Sequence, residues 1–128
     1  MNPLVIELPL PPRHLSPNGR AYWRAKAQAV AEYRGDVHLL AEVAVREKKW
    51  QAPDRVAVSL VWCLKGARTA GLYAPLDADN AVGGAKTLLD GLRDAKALVN
   101  DTWEHMKIAE VDVDLKSGPY VRVTLTPA

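Results

Sequence analysis

Asp77, Asp79 and Asn80 fall within four residues in the stretch "LDADN", just ahead of a helix pattern. In an extended chain residues two apart point the same way, so the two carboxylates stand roughly 6 to 7 Å apart and can converge on a cation. Hard oxygen donors suit Mg²⁺, which takes one or two carboxylates and keeps waters for a phosphate to displace. A second reading needs no metal: Asp79 or Asn80 caps the helix and Asp77 is a turn residue. The spacing leaves both readings open. A third carboxylate, Asp101 in "LVND", belongs to a loop after that helix and joins the pair only if the loop folds back, a return that the apolar Leu98-Val99 could supply.

Other chemistries are set aside by their spacing. "GGAKT" at 83–87 lacks the first glycine of a phosphate-binding loop and its lysine does not directly follow a glycine, so no nucleotide cofactor is expected. His14, His38 and His105 have no partner at metal-ligand spacing, and the single Cys63, inside an apolar run, reads as a core residue. No G-x-S-x-G elbow is present. Asp112 and Asp114 also stand two apart, on the polar side of an alternating strand where solvation accounts for them.

The elements that must position these residues follow from periodicity. "LVIEL" alternates as a strand with Leu4, Ile6 and Leu8 inward. "PLPPRHLSPNG" excludes regular structure. From about Gly19 a long helix places Trp23, Ala27, Val30, Tyr33, Val37, Ala41 and Ala44 on one face, with a break or bend expected near Gly35-Asp36 and an end before Pro53. The basic "REKKW" at 46–50 looks like a nucleic-acid patch and also fits a helix C-terminus, where the dipole favours cations. "RVAVSLVWCL" reads as a central strand covered on both faces. After the loop of residues 65–80, a second helix runs from Gly83 or Gly84 to Lys96 with Val82, Ala85, Leu89 and Leu92 inward. Residues 107–116 alternate with Ala109, Val111, Val113 and Leu115 inward; "SGP" turns, and Val121, Val123 and Leu125 face inward on a last strand, predicting a C-terminal β-hairpin. The expected class is α+β: a small mixed β-sheet packed against a long N-terminal helix and a second shorter helix.

The chain of 128 residues fits one domain, 1–128, with 48% apolar and 25% charged residues, an ordinary globular composition. No apolar run approaches a membrane span and no secretory signal core is present, so no membrane partner and a cytoplasmic location are expected. Charge is unevenly spread: residues 1–70 hold 11 Lys or Arg against 6 Asp or Glu, and residues 71–128 hold 6 against 9. A basic half beside an acidic one suits a protein that holds a polyanion and places carboxylates elsewhere; two solvated surfaces would read the same.

In sequence order, "LPLPPRHLSPNGRAYWRAK", "DADN", "KTLLDGL" and "VND" resemble the motifs of the RusA family of Holliday-junction resolvases over most of the chain. The resemblance implies a hydrolase of DNA recombination and repair. Such an enzyme resolves four-way junctions by paired symmetric nicks, acts as a homodimer on branched DNA, and depends on Mg²⁺, for which Mn²⁺ can substitute. It matches Asp77, Asp79 and Asp101 to the family's metal-binding catalytic aspartates and Lys86 to its catalytic lysine, and it suggests a phage or prophage origin. One departure stands out: five residues, "AVGGA", separate D-x-D-N from the lysine where the family commonly has two. The chain has no Phe, so an aromatic wedge at a junction centre falls to another residue, Tyr73 being nearest. Arg13, Arg20, Arg24, Lys26, Lys65 and Arg68 are the candidates for DNA phosphate contacts. Two readings compete with the nuclease: a non-catalytic branched-DNA-binding protein of the same fold, and a structural protein whose aspartates are caps.

Overall fold

Strand β2 (Val56–Cys63) carries the apolar run that the rest of the sheet covers. The computed structural model describes residues 2–12, 23–67, 69–70 and 85–128. Around β2 stand β1 (Leu4–Leu8), α1 (Trp23–Glu47), α2 (Lys86–Asp94), β3 (Met106–Asp114) and β4 (Tyr120–Pro127). The sheet order is β1-β4-β2-β3, with β3 parallel to β2 and the other pairs antiparallel. This is the expected α+β arrangement of a small mixed sheet with one long and one short helix. On the inner face Val56, Val58, Leu60 and Trp62 of β2 meet Val121, Val123 and Leu125 of β4, all fully buried. The opposite face of β2 is only partly covered, with Ser59 and Val61 half-buried.

The C-terminal hairpin is not formed. β3 and β4 lie on opposite sides of β2, and residues 115–119 cross over its end, where Leu64 N–H donates to Asp114 O at 2.9 Å and Lys65 N–H to Ser117 O at 3.0 Å. Two alternating runs around a turn look like neighbours locally, yet the more apolar β4 gains more by burial between β1 and β2. Within β3 a bulge opposite Val58/Ser59 inserts Ala109 as an extra residue, so Ile108 and Val111 share the inner side; Ala109 and Leu115, expected inward, are exposed.

α1 is continuous through Gly35-Asp36, against the expected break. A glycine costs only about 1 kcal/mol within a helix, and Tyr33, Val37 and Ala41 anchor the helix on both sides of it. Ala27, expected on this face, is exposed. Tyr33 ties α1 to the exit of β1 by donating its hydroxyl to Pro9 O at 2.7 Å; burial pushes that hydroxyl far up, so it stays protonated. α1 ends in a Schellman turn. Lys49 adopts φ 51°, Trp50 N–H donates to Val45 O at 2.9 Å, Lys49 N–H to Arg46 O at 3.3 Å, and Trp50 is buried with its indole N–H on Ala97 O at 3.0 Å. "REKKW" is thus a helix terminus, as its charge pattern implied.

α2 is nine residues long, shorter than expected, and buries Leu88, Gly91 and Leu92 rather than Leu89. Gly91 permits a close approach to α1: a Cβ there would stand 2.6 Å from a Val37 methyl. Cys63 is buried, the core position that the sequence implied, and burial pushes its thiol up.

Gly118 is the tightest point of the crossover. Its φ of 128° excludes other L residues, and a Cβ would lie 2.2 Å from Cys63 O. Gly118→Ala is expected to destabilise the fold by about 3 kcal/mol or more, read as a lowered midpoint in urea denaturation; an unchanged midpoint would mean that the crossover does not hold the end of β2.

Candidate metal and nucleic-acid site

Along α2, residues four and three apart stack on one side, and Lys86, Asp90 and Arg93 follow that spacing. Lys86 Nζ lies 3.8 Å from Asp90 Oδ1, and Arg93 Nη2 lies 3.7 Å from the same oxygen. Lys86 is the first residue of the helix and its side chain is 78% exposed, whereas that of Asp90 is 17% exposed. The ammonium is therefore free to swing toward a ligand while the carboxylate is held.

The chain after α2 folds back. Ala95 closes the helix, Lys96 turns with φ 62°, and Ala97 and Leu98 bury in the core. Leu98 makes the return that the sequence suggested for the Leu98-Val99 pair; Val99 itself points outward, 48% exposed. The return brings Asp101 to the side of α2, where Arg93 Nη1 donates to Asp101 Oδ1 at 3.2 Å, with the carboxylate 18% exposed. Asn100 Oδ1 accepts the Asp101 backbone N–H at 2.8 Å, which fixes the local turn. Farther along, Arg55 Nε donates to Trp103 O at 3.4 Å and Val56 N–H to His105 O at 2.9 Å, so the loop is tied at both ends. Trp103 is 79% exposed beside this site.

One guanidinium thus sits between two carboxylates, Asp90 and Asp101, eleven residues apart in sequence. A second, from α1, stands behind them: Arg34 holds Asp94 through Nε to Oδ2 at 2.6 Å and Nη2 to Oδ1 at 2.9 Å. The bidentate bond keeps the Asp94 carboxyl below the usual range, and Arg34 also feels Asp90 and Asp101. Sequence reasoning missed Arg93, Arg34 and Asp94. The spacing of Lys86, Asp90 and Arg93 was a usable signal for the first; the Arg34–Asp94 pair spans 60 residues and left none.

Asp77, Asp79, Asn80 and Tyr73 lie outside the described residues, as do Val82, Gly83, Gly84, His14 and the phosphate-contact candidates Arg13, Arg20 and Arg68. The N-cap of α2 is Ala85, which brings no side-chain cap of its own, and the reading of Asp79 or Asn80 as a cap falls outside the described residues. Among the described residues, no three acid, imidazole or thiol side chains gather closely enough to hold a metal. Arg24 and Lys26 occupy the first turn of α1, and Lys65 follows β2 at the end of the sheet remote from the Val56–His105 contact. Because β2 spans eight residues, Lys65 stands roughly 25 Å from that contact. Lys65 thus lies at the other end of the sheet from the loop that carries Asp101. Among the described residues, no helix is long and apolar enough to cross a membrane. No known protein family and no curated protein matches this chain.

The Arg34–Asp94 bond has a pH signature. A carboxylate whose folded value is depressed contributes stability above its unfolded value of about 3.9, and that contribution disappears as pH falls through the folded value. Arg34→Met should therefore lower stability at neutral pH and flatten its decline below about pH 4. Urea midpoints between pH 7 and 2.5 test this; an acid decline as steep as that of wild type would assign it to other carboxylates.

Proposed function

We propose that the chain is a RusA-like, divalent-metal-dependent endodeoxyribonuclease that resolves four-way DNA junctions by paired symmetric nicks in recombination and repair. The observation that supports this reading is the return of Asp101 to the flank of α2, in one charged network with Lys86. The two residues that the family resemblance joins are 15 apart in sequence, and Asp90 and Arg93 connect them. From Lys86 to Arg93 the helix rises about 10 Å, within the span of a nucleotide and an extended lysine.

The donor chemistry fits a hard cation. Asp101 supplies carboxylate oxygens, is mostly buried, and is already balanced by an exchangeable positive partner, Arg93. Asp101 would hold the metal together with Asp77 and Asp79. A bound Mg²⁺ offsets phosphate charge and makes a coordinated water a better nucleophile. Lys86, exposed and held only at 3.8 Å by Asp90, would donate to a phosphate oxygen or to the leaving oxygen as charge builds there. Asp90 limits the swing of that ammonium, and Arg93 keeps Asp101 turned toward α2. Two cuts at a symmetric junction call for two sites, and a two-fold homodimer supplies them.

The test is a synthetic four-way junction incubated with wild type, Asp79→Asn and Asp101→Asn, with Mg²⁺ or with chelator. Wild type should give paired nicks only with metal, and each variant should lose about 100-fold or more in rate. Equal cutting by all three would remove the site; junction binding by wild type without nicks would favour the binding-only alternative. Lys86→Ala should lose a similar factor with junction affinity nearly unchanged. Full activity would mean that "AVGGA" has shifted this lysine out of the chemistry.

A further inference from the structure

The C-terminal ends of α1 and α2 meet, and three depressions there run into one another. The first, about 300 Å³, is bordered by Lys48, Lys49, Trp50 and Gln51. The second, about 460 Å³, shares Trp50 and Gln51 and adds Arg93, Lys96, Leu98 and Val99. The third, about 320 Å³, shares Lys96 and Val45 with the second and is bordered by His38 and Arg46. Together they form a trough with an apolar floor of Val45, Trp50, Leu98 and Val99 and five cations along its rim.

Charge decides what such a trough fits. Two carboxylates border it, and both are already engaged: Glu42 with Arg46 at 3.1 Å and His38 at 3.3 Å, and Asp94 with Arg34 at 2.6 Å. Lys48, Lys49 and Lys96 are exposed, and among the described residues none has an ion-pair partner. Helix dipoles account for one cation in each last turn, Arg46 and Arg93, but leave three lysines beyond the helix ends. Arg93 belongs both to the trough and to the Asp101 network, so its side chain links the two.

We propose that this trough is a binding path for a nucleic-acid strand, whose phosphates meet Lys48, Lys49 and Lys96 while its sugars and bases lie on the apolar floor, leading the backbone to Arg93 and Asp101. The inference rests on the reading of the chain as a DNA enzyme; it takes up Lys48 and Lys49 of the basic "REKKW" run and adds Lys96, Arg93 and the apolar floor, which the sequence did not join to it. Such contacts position a backbone without reading bases, and each releases counterions from the nucleic acid.

The experiment is fluorescence anisotropy of a labelled four-way junction without divalent metal, from 50 to 200 mM KCl. It compares wild type with Lys48→Gln/Lys49→Gln/Lys96→Gln, whose fold is checked by circular dichroism and thermal midpoint. The triple variant should bind roughly 10- to 100-fold more weakly, and its plot of log K against log salt should be shallower by about 2 to 3, near 0.9 per lost duplex contact. Wild type that cuts the junction, beside a variant with unchanged affinity and slope, would overturn the trough and leave the nuclease reading standing. Wild type that neither binds nor cuts would overturn both. Poly-glutamate binding that the triple substitution abolishes, with DNA binding untouched, would assign the trough to an acidic polypeptide and overturn the inference.

Discussion

Everything in this structure is arranged around the need to bury β2. Val56, Val58, Leu60 and Trp62 expose nothing to solvent, and a strand so apolar is satisfied only in the interior of a sheet. β4 covers one side with an antiparallel ladder, and β3 covers the other with a parallel one. A parallel neighbour cannot be reached by a tight turn and requires a crossover of a dozen residues or more. That crossover contains α2 and the loop that brings back Asp101. The candidate site is therefore a by-product of strand polarity: the chain must travel back along β2 before starting β3, and its charged residues ride on the return.

The charges on this return are balanced in pairs. Asp90, Asp94 and Asp101 would repel one another on so short a stretch, yet Arg34 and Arg93 stand between them. At partly exposed positions such pairs contribute little stability, around 1 kcal/mol or less each. Their effect is mainly geometric: they fix which way each carboxylate faces. Arg34 comes from α1, and α1 meets α2 closely only because Gly91 lacks a side chain against Val37. The position of Asp94 thus depends on a packing contact made one turn earlier on the same pair of helices, where Gly91 also faces the backbone of Arg34.

Local regularities were legible in the sequence; decisions about partners were not. The alternation of Leu4, Ile6 and Leu8, the inward Val121, Val123 and Leu125, and the helical face of Tyr33, Val37 and Ala41 are all present in the fold. Each is set by side-chain period, which depends on near neighbours in the chain. The hairpin failed because pairing is a competition, and β2, more apolar than β3, won β4. Ala109 was misread because a bulge changes the phase of alternation without leaving a mark in composition. At the site, Asp101 was legible as a motif residue and Leu98 as its anchor, whereas the Arg34–Asp94 bond depends on two helices meeting and had no local signature.

The strand order also fixes when the sheet can be completed. β4 is the last strand along the chain but occupies an inner position between β1 and β2, two strands that have no ladder with each other. As the chain leaves the ribosome, β1 and β2 each wait with an unpaired edge until β4 arrives between them. Long-range pairing of this kind slows folding and lengthens the time during which apolar edges are open to other chains. The same insertion makes β4 the inner strand that joins β1 to the rest of the sheet, so fraying of β1 loosens only the rim, whereas fraying of β4 opens the middle of the sheet.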